Sequence, residues 1–447
     1  ADLMAYAAMK DPTHYAGLVT FGGSGVSSEH MKEFKNTPIN HDGDFPLENV
    51  MVSELDARTW MFIDEENASD QVIKANVQYW KDANDIPENA LQYSNANADE
   101  IYFEPAHDTL ELNEHSIGAL YVTRYANRDD IYDADMPSIV WNSFLKKAWR
   151  FEGFANCALR AYEDPVESGV LKKYNTTVDG WNREYFVYCP EAVKTSGEDV
   201  PLVICTHGSG GTGKEMYSRT DWAKVAEESG FIVVFPTGRL QYEEDGNGQA
   251  NTLWDTKSDK DLRFIDQMFD ELQSNYNIDT SRVYSSGHSN GTHMAIFLAV
   301  SRPNMITAVG TSAAVFSPGA YDSMIPLAPT DDTNKQTAVM VALGSYDEYA
   351  DPWDGGADID GVRSAAVRSY WEDIWNFEGD DYQCYDNGVF KNYIYTKEDG
   401  TPVYQYTRVD KNLHAPLPEL SYKFYDFMSK YSRDTDGTLL YMGSPIV

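Results

Sequence analysis

Ser289 stands between two glycines at the spacing G-x-S-x-G, in Gly287-His288-Ser289-Asn290-Gly291. At average usage of about 7% for Gly and Ser the pattern arises by chance about 0.15 times in a chain of this length, so its setting must decide. An apolar strand pattern ends at Ser285 and a helical one begins at Gly291, which puts the serine on a sharp strand–turn–helix corner. The flanking glycines suit a turn where a Cβ would meet neighbouring backbone. The chemistry such a serine can do is nucleophilic attack on a carbonyl, with the helix N-terminus supplying N–H groups where negative charge develops. The N–H of Asn290 is the first expected oxyanion donor. The second is expected from His207-Gly208-Ser209-Gly210-Gly211, a glycine-rich turn after the apolar run 201–206, with Gly208 and Ser209 the candidates. The segment GSGGTGK lacks the spacing of a phosphate-binding loop, and no Ser or Thr follows Lys214.

A serine hydroxyl needs a base, and the base needs an orienting acid. The chain holds nine histidines, of which only His293 and His414 follow the serine turn. His293 lies on the helix leaving that turn, too close to act as a distant base. His414, in Asn412-Leu413-His414-Ala415-Pro416, lies on a loop between the last strand and last helix patterns. Asp347, just past the apolar run 338–343, is the expected acid, with Asp351 four residues on as the alternative. The chain order is Ser, Asp, His.

Strands are expected at 183–189, 201–206, 231–236, 282–286, 305–312, 338–343 and 403–409. Helices are expected around 221–229, over 260–276, from 291, over 361–377 and over 420–431. Near-continuous apolar strands alternating with amphipathic helices predict an α/β fold with a mostly parallel sheet covered on both faces.

The length, 447 residues, exceeds one core of usual size. Internal similarity suggests how it divides. Residues 2–21 resemble 292–311, Tyr79-Trp80-Lys81-Asp82 matches Tyr370-Trp371-Glu372-Asp373 at the 291-residue displacement that also relates Pro12 to Pro303, and TWMFID (59–64) and ALYVTRY (119–125) parallel AVMVALGSYD and VYQYTRV. The collinear order predicts that 1–150 is a partial, degenerate duplicate of the later domain, the remnant of a longer tandem chain. It opens where the second copy's serine turn ends, and no histidine occurs from Asn127 to Asp135. A linker is expected at 151–164, the catalytic domain at 165–433, and a tail at 434–447.

A net charge of −36, from 71 acidic and 35 basic residues, disfavours nucleic acid and anionic membrane surfaces as partners. No apolar run is long enough for a transmembrane helix. The four cysteines, Cys157, Cys189, Cys205 and Cys384, lack zinc-site spacing, and their even number permits disulfides without establishing them. The 30 tyrosines suit core and strand packing, and their amphipathic rings also suit polar-substrate clefts.

The stretches REYFVYCPEAV, PLVICTHGSGG, DWAKVAEESGFIVVFPTG, Trp254 before DLRFIDQMFDEL, RVYSSGHSNGTHMA, GSYD and NLHAP span nearly all of 180–433. In that order they resemble the α/β-hydrolase family of poly(3-hydroxybutyrate) depolymerase-like, feruloyl and acetylxylan esterases. Two departures are Asn290, where many relatives carry a small residue, and the acidic loop 344–360. The resemblance implies an α/β-hydrolase fold, no cofactor or metal, a small-molecule or polymeric ester as partner, and extracellular work. It also implies Trp254 as a wall of the cleft, with His288 as a second substrate contact. The expected function is a serine carboxylic-ester hydrolase acting through an acyl-enzyme on Ser289. Alternatives are a peptidase or acyltransferase with the same triad, or a non-catalytic binding module.

Overall fold

The computed structural model describes residues 1–39, 51–86, 94–103, 118–132, 134–150, 159–161, 164–242, 250–328, 336–350 and 355–446. The chain divides into two compact units, Ala1–Asp164 and Pro165–Val447. Most of the expected linker lies outside the described residues. So does Cys157, whereas Cys189, Cys205 and Cys384 are free thiols.

In the first unit β1 (Gly17–Phe21), β2 (Arg58–Asp64), β3 (Glu100–Phe103) and β4 (Ala119–Tyr125) form a sheet of order β1-β2-β4-β3. The first three in space are parallel and β3 is antiparallel. Helices α1 (Asp2–Lys10), α2 (Gln71–Ala83) and α3 (Met136–Ser143) belong to this unit. Trp80, Met9, Leu120 and Val122 are buried in one core cluster, Trp60, Phe62 and Phe144 in another.

The second unit carries a ten-stranded sheet. Its strands are β5 (Lys172–Val178), β6 (Trp181–Tyr188), β7 (Val200–Thr206), β8 (Ile232–Pro236), β9 (Ile278–His288), β10 (Ala308–Ser312), β11 (Ala338–Gly344), β12 (Gln383–Asn387), β13 (Phe390–Thr396) and β14 (Pro402–Val409). In space they run β5-β6-β8-β7-β9-β10-β11-β14-β13-β12. The central run from β8 to β14 is parallel, with an antiparallel pair at each edge. Its helices include α4 (Gly213–Arg219), α5 (Trp222–Ser229), α6 (Lys260–Asn275), α7 (Asn290–Ser301), α8 (Val362–Trp375) and α9 (Glu419–Met428), besides a short one at Glu191–Ser196. Every residue of β7, β10 and β11 is buried, as a parallel sheet covered on both faces requires. Alternation along β9 shows the two layers: Tyr284 packs on Tyr425 of α9, and the next residue, Ser285, donates its hydroxyl to the Ala295 carbonyl of α7. Among the described residues no helix is long and apolar enough to cross a membrane.

Two stretches differ from the sequence expectation. Residues 431–433, 439–441 and 444–445 form a small antiparallel sheet, with Leu439 buried in the core and Arg433 bonded to the carbonyls of Ile306 and Gln336. The expected tail, 434–447, therefore adds strands and a core residue to the second unit. The edge strands β5, β12 and β13 and helix α4 were not expected either; β12 is exposed along its whole length and has no apolar pattern to read.

The two units share a local geometry. β1-β2-β4-β3 corresponds in order and direction to β10-β11-β14-β13. Gly17 pairs with Arg58 as Ala308 pairs with Ala338, and Thr59 pairs with Leu120 as Val339 pairs with Tyr404. Positive φ follows the first strand of each set, at Gly22 (69°) and Ala313 (54°). The turn after the second strand repeats the same two bonds. Asn67 N–H reaches the Asp64 carbonyl and Glu65 N–H the Tyr125 carbonyl, as Asp347 N–H reaches Gly344 and Ser345 N–H reaches Val409.

Candidate active site

The C-terminal ends of β9, β11 and β14 bring Ser289, Asp347 and His414 together. Ser289 follows β9 with φ 55° and ψ −120°, a backbone conformation that costs a non-glycine residue energy and that surrounding structure must enforce. Its neighbours explain the glycines. A Cβ on Gly287 would overlap the Gly291 carbonyl, and one on Gly291 would overlap the Thr206 carbonyl at the end of β7. Ser289 N–H donates to the Ser312 carbonyl at the end of β10 (3.1 Å), which holds the corner from the neighbouring strand.

The three side chains form one hydrogen-bonded line. Ser289 Oγ lies 2.6 Å from His414 Nε2, and His414 Nδ1 lies 2.8 Å from Asp347 Oδ2. Asp347 is 3% exposed, and its other oxygen accepts the Tyr349 N–H at 3.0 Å. A buried carboxylate bonded in this way fixes the ring's tautomer and favours its protonated form when the serine gives up its proton. Asp351 lies outside the described residues. The turn holding Asp347 is laced to the loop holding His414: Tyr346 N–H donates to the Asn412 carbonyl, and Lys411 N–H to Ser345 Oγ. A Cβ on Gly344 would overlap the Asn412 carbonyl, so close approach of these two segments depends on that glycine.

A cavity of about 610 Å³ opens over Ser289, lined among others by Gly208, Ser209, Asn290, Arg219, Tyr349 and Pro416. As the first residue of α7, Asn290 has an N–H with no acceptor inside its helix. The 208–211 turn is held by His207, whose ring is 1% exposed. Its Nδ1 meets the Gly208 carbonyl at 2.7 Å, and its Nε2 accepts the Gly238 N–H at 2.8 Å. Burial lowers the His207 pKa to about 4, which keeps the ring neutral and able to accept.

Trp254 is not placed as the sequence suggested, whereas His288 does line the cavity. Trp254 is 4% exposed and is not among the residues lining the cavity. Its ring N–H donates to the His207 carbonyl (2.9 Å) and its backbone N–H to Asn290 Oδ1 (2.8 Å), so it braces the two expected oxyanion segments from behind. His288 reaches the cavity wall but is 6% exposed. Its Nδ1 meets Ser312 Oγ at 2.9 Å, its ring centre is 5.3 Å from that of His414, and the His414 backbone lies within hydrogen-bonding reach. Burial first, then proximity to His414, pushes its pKa well below the ordinary histidine value. Trp254 is therefore a buttress, because its indole is already bonded inside the protein, and His288 combines a place on the cavity wall with a bond to Ser312. Sequence reasoning missed Tyr349, whose ring stands edge-on to His414 at 4.5 Å, and Arg219, paired with Glu215 at the cavity rim. Neither carries a motif.

A mostly parallel sheet of order 1-2-4-3-5-6-7-10-9-8, with a serine on the strand–turn–helix corner after the fifth strand, defines the α/β-hydrolase class. Residues 176–389, within the second unit, match the family model named Esterase. Among curated relatives, a bifunctional acetylxylan esterase/xylanase of Neocallimastix patriciarum is 29% identical over 157 residues, 35% of this chain and 22% of that protein. A poly(3-hydroxyalkanoate) depolymerase C of Paucimonas lemoignei is 26% identical over 243 residues, 50% of this chain and 56% of that protein. The chain thus spans less than two thirds of the length of either. A solved acetyl xylan esterase from Aspergillus awamori matches 58% of this chain and 99% of its own, at 16% identity and a TM-score of 0.44.

Proposed function

We propose that the second unit is a serine carboxylic-ester hydrolase. The observation that carries this reading is the line Ser289–His414–Asp347, at 2.6 and 2.8 Å, ending on a serine held at positive φ. In the proposed cycle His414 Nε2 takes the Ser289 proton as Oγ attacks the ester carbonyl. The tetrahedral oxyanion is met by the N–H of Asn290 and one from the Gly208–Ser209 turn. His414 then protonates the departing alcohol, and water, activated by the same imidazole, releases the acid from Ser289. Plant-wall acyl esters and polyester are the proposed substrates, supported by the names of the relatives. The cavity's polar lining, with His207, Ser209, Thr212, Glu215 and Arg219, suits a hydroxyl-rich alcohol part.

We propose further that the first unit is a non-catalytic copy of the second unit's C-terminal half. The shared strand order, register and turn bonds support this. The position of Asp347 is taken by Asn67, whose amide cannot stabilise a charged imidazole as a carboxylate does, and no histidine occurs in the loop after β4. Hydrolysis of p-nitrophenyl acetate tests both statements: Ser289→Ala and His414→Ala are expected to lower kcat at least a thousandfold, to background. Substantial turnover by Ser289→Ala would refute the assignment or reveal a second site.

A further inference from the structure

Away from Ser289, a cleft of about 390 Å³ lies between α9 and the outer strands β14, β13 and β12. That volume falls within the roughly 300–1,000 Å³ of small-molecule sites. Its floor is unusual for a sheet face beneath a helix. Asn392, Gln405 and Thr407 are 4%, 8% and 0% exposed, where apolar side chains would pack at lower cost. Gln405 Nε2 donates to Asn392 Oδ1 (3.2 Å) and Thr407 Oγ1 (3.1 Å), and the Thr407 hydroxyl donates to the same Asn392 oxygen (3.0 Å). This network uses up the amide nitrogen of Gln405 and leaves its carbonyl oxygen with no donor among the described residues. Gln405 and Asn392 both line the cleft. Above them stand two partly exposed rings, Tyr385 on β12 (49%) and Tyr422 on α9 (36%).

We propose that this cleft is a second, non-catalytic binding site for a neutral sugar ring. The reasoning is by elimination among ligand chemistries. An apolar ligand would cover the amide floor without giving the Gln405 carbonyl a donor. An anion would find the cleft's lysines engaged, since Lys430 bonds to Asp426 at 2.9 Å and Lys423 sits 4.0 Å over the Phe390 ring. The chain's net charge of −36 disfavours it further. A pyranose offers hydroxyl donors to the Gln405 oxygen and an apolar ring face to the tyrosine rings. The site stands independently of the hydrolase reading, because none of its residues lines the Ser289 cavity.

The test is calorimetric titration of the whole chain with xylohexaose, with cellohexaose in parallel. Binding of at least one is expected, weakened fivefold or more in both Tyr385→Ala and Gln405→Leu, with p-nitrophenyl acetate hydrolysis unchanged. Tyr385 is on an exposed edge strand, so its variant keeps the test clear of folding effects. Absence of binding by both oligosaccharides, or binding that neither variant weakens, would overturn the proposal; the latter would assign the sugar to the Ser289 cavity.

Discussion

His414 meets the serine and the aspartate with its side chain, while its backbone is steered by His288. That second imidazole bridges Ser312, whose carbonyl also holds the Ser289 N–H, and the His414 loop. His288 thus ties nucleophile and base to one strand end. Replacing it by leucine keeps the volume and removes both bonds. The expected outcome is a tenfold to hundredfold fall in kcat with KM nearly unchanged, partly rescued by glutamine, which can still donate and accept. Steady-state kinetics of the two variants checks this; equal losses in kcat and KM, or none, would deny His288 a positioning role. The motif pattern made Ser289 legible, and scarcity made His414 legible, since few histidines follow the serine. The parts of His288 and Trp254 were not legible, because residue type does not reveal whether a ring's nitrogens are already bonded inside the protein.

Among the elements, the turns after β9 and β11 depend most sharply on single residues. Gly344→Ala would drive a methyl group into the Asn412 backbone and part the segments that carry Asp347 and His414. The variant is expected to lose about 1–3 kcal/mol of stability and more than tenfold in kcat, measured by urea melts and p-nitrophenyl acetate turnover. Wild-type activity would mean that the close approach is dispensable. The buried strands β7, β10 and β11 could be read from apolar runs alone. The edges could not: β12 is exposed throughout, and the residues 403–409 read as an ordinary strand although Gln405 and Thr407 build a polar floor beneath α9.

For the whole molecule, acidity should destabilise before carboxylates protonate. The His207 pKa of about 4 in the folded state lies below the ordinary 6.5, so between those values the unfolded chain takes up a proton that the folded chain refuses. Stability is then full above pH 6.5, falls as pH drops towards 4, and levels off below it with respect to this group. The loss from His207 alone is about 3 kcal/mol, and His288 acts in the same direction. Urea midpoints that stay constant from pH 7 to 4.5 would contradict this. Collinear sequence fragments suggested a likeness between the two units. The shared register and paired turn bonds needed coordinates, because offsets differ from strand to strand. The most direct measurement of the central claim is reaction of the intact chain with a fluorophosphonate followed by peptide mass mapping. One phosphonyl group per chain is expected, on the peptide containing Ser289, absent in Ser289→Ala and formed far more slowly in His414→Ala. A label elsewhere, a second label, or equal labelling of Ser289→Ala would contradict the account.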